Sequence, residues 1–423
     1  MKLSRNMTAG IVIRTALALA AGPALAYAAV TDAAPPADTV ADATAPAAAA
    51  PAAAAPTPPS LLPGMVGALT ANSAPTSFDG GPLGKVYVTG VASGYAQTQD
   101  NVYGFSYTGS PDRHSVTDLS NAQIFINKPD GLVQFFAQVG VYSLPDLGVP
   151  YVKSGDGPNT WYGPFAQGYI KLAPSDSFSI MAGKLPTLIG AESTFSFENM
   201  NIERGLLWNQ ENAVNRGVQV NYTAGPVALS ASWNDGFLSN KYTWAWVSAT
   251  WTIDKANTLG LIAGGSTRRT TLNTAVTPGF QNNEQIYNLI YTHTAGPWTI
   301  QPYLQYTTVP RIAPYSLKTG STFGGALLVN YSVEKVAGLS LPFRLEYISS
   351  TGSATDGAPN LLYGAGSKAW SVTVTPTYQY KIFFARADLA YVSASGTTPG
   401  SAFGPAGNDT SQFRAALEAG ILF

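Results

Sequence analysis

From Lys85 to Phe423 one texture repeats: short runs of alternating apolar and polar residues, separated by links bearing Gly, Pro, Asn and Asp. In Leu132–Ser143, Val133, Phe135, Ala137, Val139 and Val141 share one face, and Gln134 and Gln138 lie on the other. In Pro297–Thr308, Trp298, Ile300, Leu304 and Tyr306 oppose Thr299, Gln301, Tyr303 and Gln305. In Gln412–Phe423, Phe413, Ala415, Leu417, Ala419, Ile421 and Phe423 oppose Gln412, Arg414 and Glu418. Successive side chains of a strand point to opposite faces, so each run reads as a strand with one apolar and one polar wall. Sixteen such runs fit between Lys85 and Phe423. That is about 21 residues per strand and connection, which suits strands of ~9–11 residues tilted across a bilayer.

A soluble sandwich would show the same alternation, so the connections decide. Tight links fall at Lys128–Gly131, Pro174–Ser177, Ala224–Pro226, Asp254–Asn257, Ala295–Pro297 and Gln379–Lys381, with a looser one at Val333–Gly338. Between them lie long polar loops at 98–117, 143–163, 188–216, 267–283, 310–320, 352–366 and 394–411; only Leu238–Lys241 is short where a long loop is due. Short turns on one rim and long loops on the other belong to a membrane barrel, whose closure removes the exposed sheet edges. The sequence thus predicts an all-β fold, a transmembrane antiparallel β-barrel of about 16 strands over residues 85–423. Its mean hydropathy of +0.05 fits, because outward and inward faces average out. Tyr87, Tyr95, Tyr222, Trp233, Trp251, Trp298 and Tyr391 fall near the ends of apolar faces, where aromatic girdles would sit. The face of Tyr242–Thr252 is ambiguous, which leaves Trp244 and Trp246 unassigned.

The barrel region is preceded by two segments of different character. Residues 1–26 read as a secretory signal peptide: Lys2, Arg5 and Arg14, then the apolar TALALAAG, then an Ala24-Leu25-Ala26 cleavage site. Residues 27–84 form an Ala/Pro-rich periplasmic lead, expected to be mostly disordered because such a tract cannot bury a core. Three of the 23 basic residues leave with the signal, so 20 face 24 acidic ones, a net charge of −4. That balance, without basic runs, argues against a nucleic-acid partner. Cysteine is absent, so closure rather than disulfides must stabilise an exported chain of this kind.

The remaining charge is concentrated. Leu188–Arg216 carries Glu192, Glu198, Glu203, Arg204, Glu211 and Arg216, although only 11% of all residues are charged. Long charged loops between half-buried strands are more often functional than idle. Lys171, Arg344, Glu346, Arg386, Asp388, Arg414 and Glu418 alternate with apolar residues, and a charge facing lipid at mid-bilayer costs ~2–4 kcal/mol for Arg or Lys. They are therefore placed on the lumen wall, where Arg344 with Glu346 and Arg386 with Asp388 could neutralise each other. Nucleophile-elbow, zincin and phosphate-loop motifs are absent, and the two histidines, His114 and His293, stand alone. No enzyme, cofactor or metal is expected.

The segments DLSNAQIFINKPDG (Asp118–Gly131), YIKLAPSDSFSIMAGKLPTLIGAES (Tyr169–Ser193) and the terminal AALEAGILF resemble the β-barrel porin-2, OmpL-like family of Gram-negative outer membranes. The resemblance covers roughly residues 85–423 and implies an outer-membrane passive channel for small hydrophilic solutes. It implies Phe423 as the terminal signal read by the barrel-assembly machinery, membrane lipid as surroundings, and a homotrimer as one possible assembly. By analogy with sixteen-stranded porins, loop 188–216, the third on its rim, folds inward as the constriction. Glu192, Glu198, Glu203 and Arg204 would then face the pore, with Phe195 and Phe197 anchoring the loop. Two alternatives stay open: a carbohydrate-preferring channel with Tyr303, Trp244 or Trp246 stacking on ligand, and a non-conducting barrel serving as adhesin or structural anchor.

Overall fold

The computed structural model describes residues 62, 64–65, 67–104, 112–274, 276–313 and 316–423. The expected signal peptide and most of the Ala/Pro lead lie outside the described residues. A short strand, β1 (Thr76–Asp79), precedes the wall. The wall then runs through β2 (Lys85–Gln99), β3 (Ser115–Lys128), β4 (Val133–Tyr142), β5 (Phe165–Ser175), β6 (Phe178–Pro186) and β7 (Val214–Ala224). It continues with β8 (Val227–Asn234), β9 (Trp244–Thr252), β10 (Asn257–Ser266), β11 (Gln285–Ala295), β12 (Trp298–Val309) and β13 (Gly320–Ser332). The last pieces are β14 (Leu339–Ser350), β15 (Lys368–Val374), β16 (Thr377–Tyr380), β17 (Phe383–Ser395) and β18 (Ser411–Leu422).

Every wall strand pairs antiparallel with its sequence neighbour, and β18 returns to β2 from Arg414↔Gln99 to Leu422↔Val91. β15 and β16 both pair with β14 and with β17, so they are one strand interrupted at Thr375-Pro376, where proline offers no N–H to the ladder. The closed antiparallel barrel therefore has sixteen strands. β1 adds to β2 at Thr76↔Val88, beyond the point where β18 ends.

The alternation resolves into two faces as the sequence implies. Val133, Val139, Ile170, Leu172, Val218, Leu304, Phe413 and Leu417 are exposed outward, whereas Gln138, Tyr303, Gln305, Arg414 and Glu418 are buried inside. With no water in the bilayer core, this pairing satisfies the backbone while the apolar face meets lipid. The two-residue turns follow local chemistry. Gly225-Pro226 and Gly296-Pro297 each begin with glycine at φ +57° and +56°, the left-handed conformation that tight hairpins require. Tyr222, Trp233, Trp251 and Trp298 are exposed outward as girdle residues would be. Tyr95 is not: it points inward, buried, stacked on Tyr151 at 5.2 Å, because it shares the face of Ser93 and Gln97. Trp244 and Trp246 also face inward.

Phe423 completes the seam. It exchanges backbone hydrogen bonds with Gly90, at 2.8 and 2.9 Å, and its ring lies where a Cβ on residue 90 would be, 2.4 Å away. We expect unboiled protein in SDS to migrate apart from boiled protein, because the closed hydrogen-bonded wall resists detergent until heated. Gly90→Val or loss of Phe423 should lower the fraction of this heat-modifiable form in outer membranes without blocking export. Unchanged levels in both variants would show that the seam does not depend on this contact.

Candidate functional site in the barrel lumen

The connection between β6 and β7 carries Phe195, Phe197, Met200, Ile202, Leu206, Leu207 and Trp208, too much apolar surface to leave in water. All of these residues are buried, and so are the loop's acids and Arg204. Phe195 meets the Tyr142 ring edge-on at 5.0 Å, and Phe197 packs on Phe125 at 5.7 Å. Tyr142 lies at the end of β4, and Phe125 points inward from β3 between the outward Ile124 and Ile126. The loop thus lies inside the cylinder, with both phenylalanines as its anchors.

Its polar groups are held by the wall. Arg344 contacts Glu192 at 2.6 Å, donates to the Glu203 carbonyl at 2.6 Å, and lies 3.3 Å from Glu346 on its own strand. Arg414 contacts the Glu203 carboxylate at 2.6 Å and donates to the Asp146 and Val149 carbonyls. Arg386 pairs with Glu418, its cross-strand partner in the β17–β18 register, and donates to the carbonyls of Ser196 and Asn199. The expected Arg386–Asp388 pair is therefore not formed. Asp388 instead accepts the Glu203 N–H at 2.9 Å and the Thr375 hydroxyl. Glu346 accepts the N–H groups of Leu206 and Leu207, and Glu418 accepts the Ser196 hydroxyl at 2.8 Å.

Two of the expected constriction residues sit elsewhere in this network. Arg204 pairs with Asp146 of the neighbouring long loop and lies 4.6 Å over the Trp208 ring. Among the described residues Glu198 meets no arginine within ion-pair distance; it accepts the Phe195 N–H at 3.0 Å and caps its own turn. Lys171 is half-buried on the inner face of β5 and makes no ion pair among the described residues. Trp244, Trp246 and Tyr303 are 0%, 1% and 2% exposed, so none offers an open ring face; Tyr303 is hydrogen-bonded to Glu211 and Gln305. Asp146 was not singled out in the sequence, where one acid in a long polar loop carries no signal of its own.

A family model described as "Putative beta-barrel porin-2, OmpL-like" matches residues 85–423. The chain belongs to that family. No curated protein matches it in sequence. Among solved structures, the anion-selective porin from Comamonas acidovorans is similar at 12% identity and TM-score 0.53, covering 80% of this chain and 99% of that one. Outer-membrane expressed OmpT of Vibrio cholerae is similar at 12% identity and TM-score 0.52, covering 80% and 98%. At that identity the likeness concerns the fold, and it agrees with the sixteen-stranded wall.

A further feature of this porin-2 barrel was not foreseen. The end of the lead enters the short-turn half of the lumen: Leu62 and Leu69, with Met65 against them, share one apolar cluster with Val91, Phe125, Phe136, Phe197, Phe384 and Leu422. The Ser193 hydroxyl donates to the Gly64 carbonyl at 2.7 Å. A Cβ on Gly64 would lie 2.3 Å from the Glu198 carboxylate, and one on Gly67 2.3 Å from the Asn199 carbonyl. At the rim, Thr70 and Gln379 exchange two hydrogen bonds of 2.8 Å. The available signal was a change in composition, from the Ala/Pro tract to Leu62, Met65 and Leu69.

Burial of the loop acids has a consequence for pH. Desolvation raises the carboxyl of Glu198 to about 7, and it also raises those of Asp146, Glu192, Glu211 and Glu284. A carboxyl whose folded value lies above its unfolded one makes the folded state bind the extra proton. The contribution of Glu198 to stability is then fully present below about 4.5 and is lost as pH rises towards 7. The protection factors of Phe195–Asn199, corrected for the intrinsic rise of exchange with pH, should fall across that interval, and Glu198→Gln should flatten the fall. An identical profile in the variant would assign the effect to another group.

Proposed function

We propose that this porin-2 protein lets small hydrophilic solutes diffuse passively across the outer membrane, along a path narrowed by loop 188–216. The observation that carries the reading is the tethering of that loop across the lumen by arginines from β14, β17 and β18. A solute path through the barrel would run beside it, in a field set by the surplus charge of the network. A cavity of about 460 Å³ borders Leu206–Val214, between this loop and the other long loops, and suits a small solute. Leu62, Met65 and Leu69 of the lead form a second obstacle, packed against Phe197 of the loop's apolar cluster. Insertion by the barrel-assembly machinery through Phe423, and assembly as a homotrimer, belong to the same proposal.

Charge selection would work through the paired arginines rather than through free carboxylates, since Glu192 and Glu203 are already engaged. Removing one partner of a buried pair costs about 3–5 kcal/mol and leaves the other charge uncompensated. Glu192→Gln with Glu203→Gln should therefore release positive charge from Arg344 and Arg414 and shift the reversal potential in a salt gradient towards anions. Replacing residues 193–202 with a short Gly-Ser link should raise single-channel conductance. Were both readings unchanged in heat-modifiable protein, the loop would not border the path; a silent bilayer for the parent protein would favour the anchor reading.

A further inference from the structure

Three successive connections on the long-loop rim, β8–β9, β10–β11 and β12–β13, bring Lys241, Arg268, Arg269 and Arg311 around one concavity of about 600 Å³. No carboxylate lines it; Thr243, Thr270 and Thr271 complete its polar wall. All four cations are exposed, and none makes an ion pair among the described residues. This is unlike the lumen arginines, each of which faces a carboxylate. The nearest acids in these connections are engaged or sequestered: Asp235 holds Arg216 at 2.7 Å, and Glu284 is buried.

The cluster is also built rather than accidental. Thr267 donates through N–H and hydroxyl to the Thr243 carbonyl, both at 2.7 Å. Thr270 exchanges hydrogen bonds of 2.8 and 2.9 Å with Asn283. The Arg268-Arg269 pair is therefore held between two pinned residues. Arg311 precedes the buried Ile312, whose N–H and carbonyl both bond Ser316. The Lys241 carbonyl accepts the Thr243 N–H, and its own N–H donates to Ser239. Four like charges gathered on pinned backbones around a concave surface repel one another, and a multivalent anion removes that repulsion while meeting their forked and point-charge donors.

We infer that this concavity binds a ligand bearing two or more phosphate groups, presented either by a phosphorylated lipid headgroup of the outer leaflet or by a free polyanion. The inference stands whether or not the barrel conducts. The test uses the full detergent-solubilised protein and the variant Arg268→Gln/Arg269→Gln/Arg311→Gln, with heat-modifiable migration confirming that both are folded. One arm titrates sodium tripolyphosphate by calorimetry at low salt; the other measures retention of diphosphoryl lipid A from mixed micelles by native mass spectrometry. We expect the parent to bind at least one probe, the Gln variant to lose about tenfold or more in affinity, and added salt to weaken binding. Binding of lipid A alone identifies the headgroup source, and binding of tripolyphosphate alone the free anion. A Lys variant at the same three positions should retain most of the affinity because it keeps the charge. The inference is overturned if the parent binds neither probe, or if the Gln variant matches the parent with both.

Discussion

Everything in this protein depends on one requirement: each backbone N–H and C=O in a lipid-embedded strand must find its partner within the wall. The closing ladder between β18 and β2 meets that requirement, and it fixes what the side chains can do. Once sixteen strands are joined in a ring, each has a lipid face and a lumen face. Lys171, Arg344, Glu346, Arg386, Asp388, Arg414 and Glu418 are directed inward, and Lys184, Arg216 and Lys368 take outward positions only at the strand ends beside the long loops. Arg344, Arg386 and Arg414 therefore lie in an enclosed space where unpaired charge is costly, and the loop between β6 and β7 brings much of what satisfies them.

The lumen network is accordingly more than a set of adjacent pairs. Each wall arginine holds a carboxylate and also loop carbonyls, while Glu346, Asp388 and Glu418 accept loop N–H or hydroxyl groups. The wall fixes the loop by its backbone as well as by its side chains, which restricts how far the segment can move without breaking several bonds together. At the long-loop rim the arrangement is the opposite: Arg268, Arg269 and Arg311 are held by their backbones, and their guanidinium groups are left facing water. Two groups of cations on one barrel thus have different electrostatic surroundings, one compensated and one free.

The wall was legible because period-two alternation and turn chemistry are local properties. Gln134 against Val133, or Gly225-Pro226 between two runs, carries its meaning within a few residues. Partners were legible only where they stand on the same strand. Arg344 lies near Glu346 as expected, but Arg386 pairs with Glu418, since register across strands cannot be read from spacing along one. Tyr95 looked like a girdle residue because its ring is amphipathic, and its inward direction follows from the phase of β2. Glu198 reads as a pore carboxylate by type, and its bond to the Phe195 N–H depends on a local turn that the sequence pattern does not announce. Lys241, Arg268 and Arg311 form no basic run, so their convergence emerges only from the order of strands around the ring.

The lead and the inward loop bear on how such a barrel can be assembled. Leu62 and Leu69 share a cluster with Phe384 and Leu422, and Glu203 binds Arg414, so segments synthesised early are completed by strands synthesised last. Pairings this distant along the chain are slow to form. Gly64 and Gly67 fit against Glu198 and Asn199 so closely that a side chain at either position would force the lead and the loop apart. A wall sealed without the loop in place would leave Arg344 without Glu192 and Arg414 without Glu203, whereas Arg386 would keep Glu418 on the wall, so two buried charges make an empty cylinder costlier than a filled one.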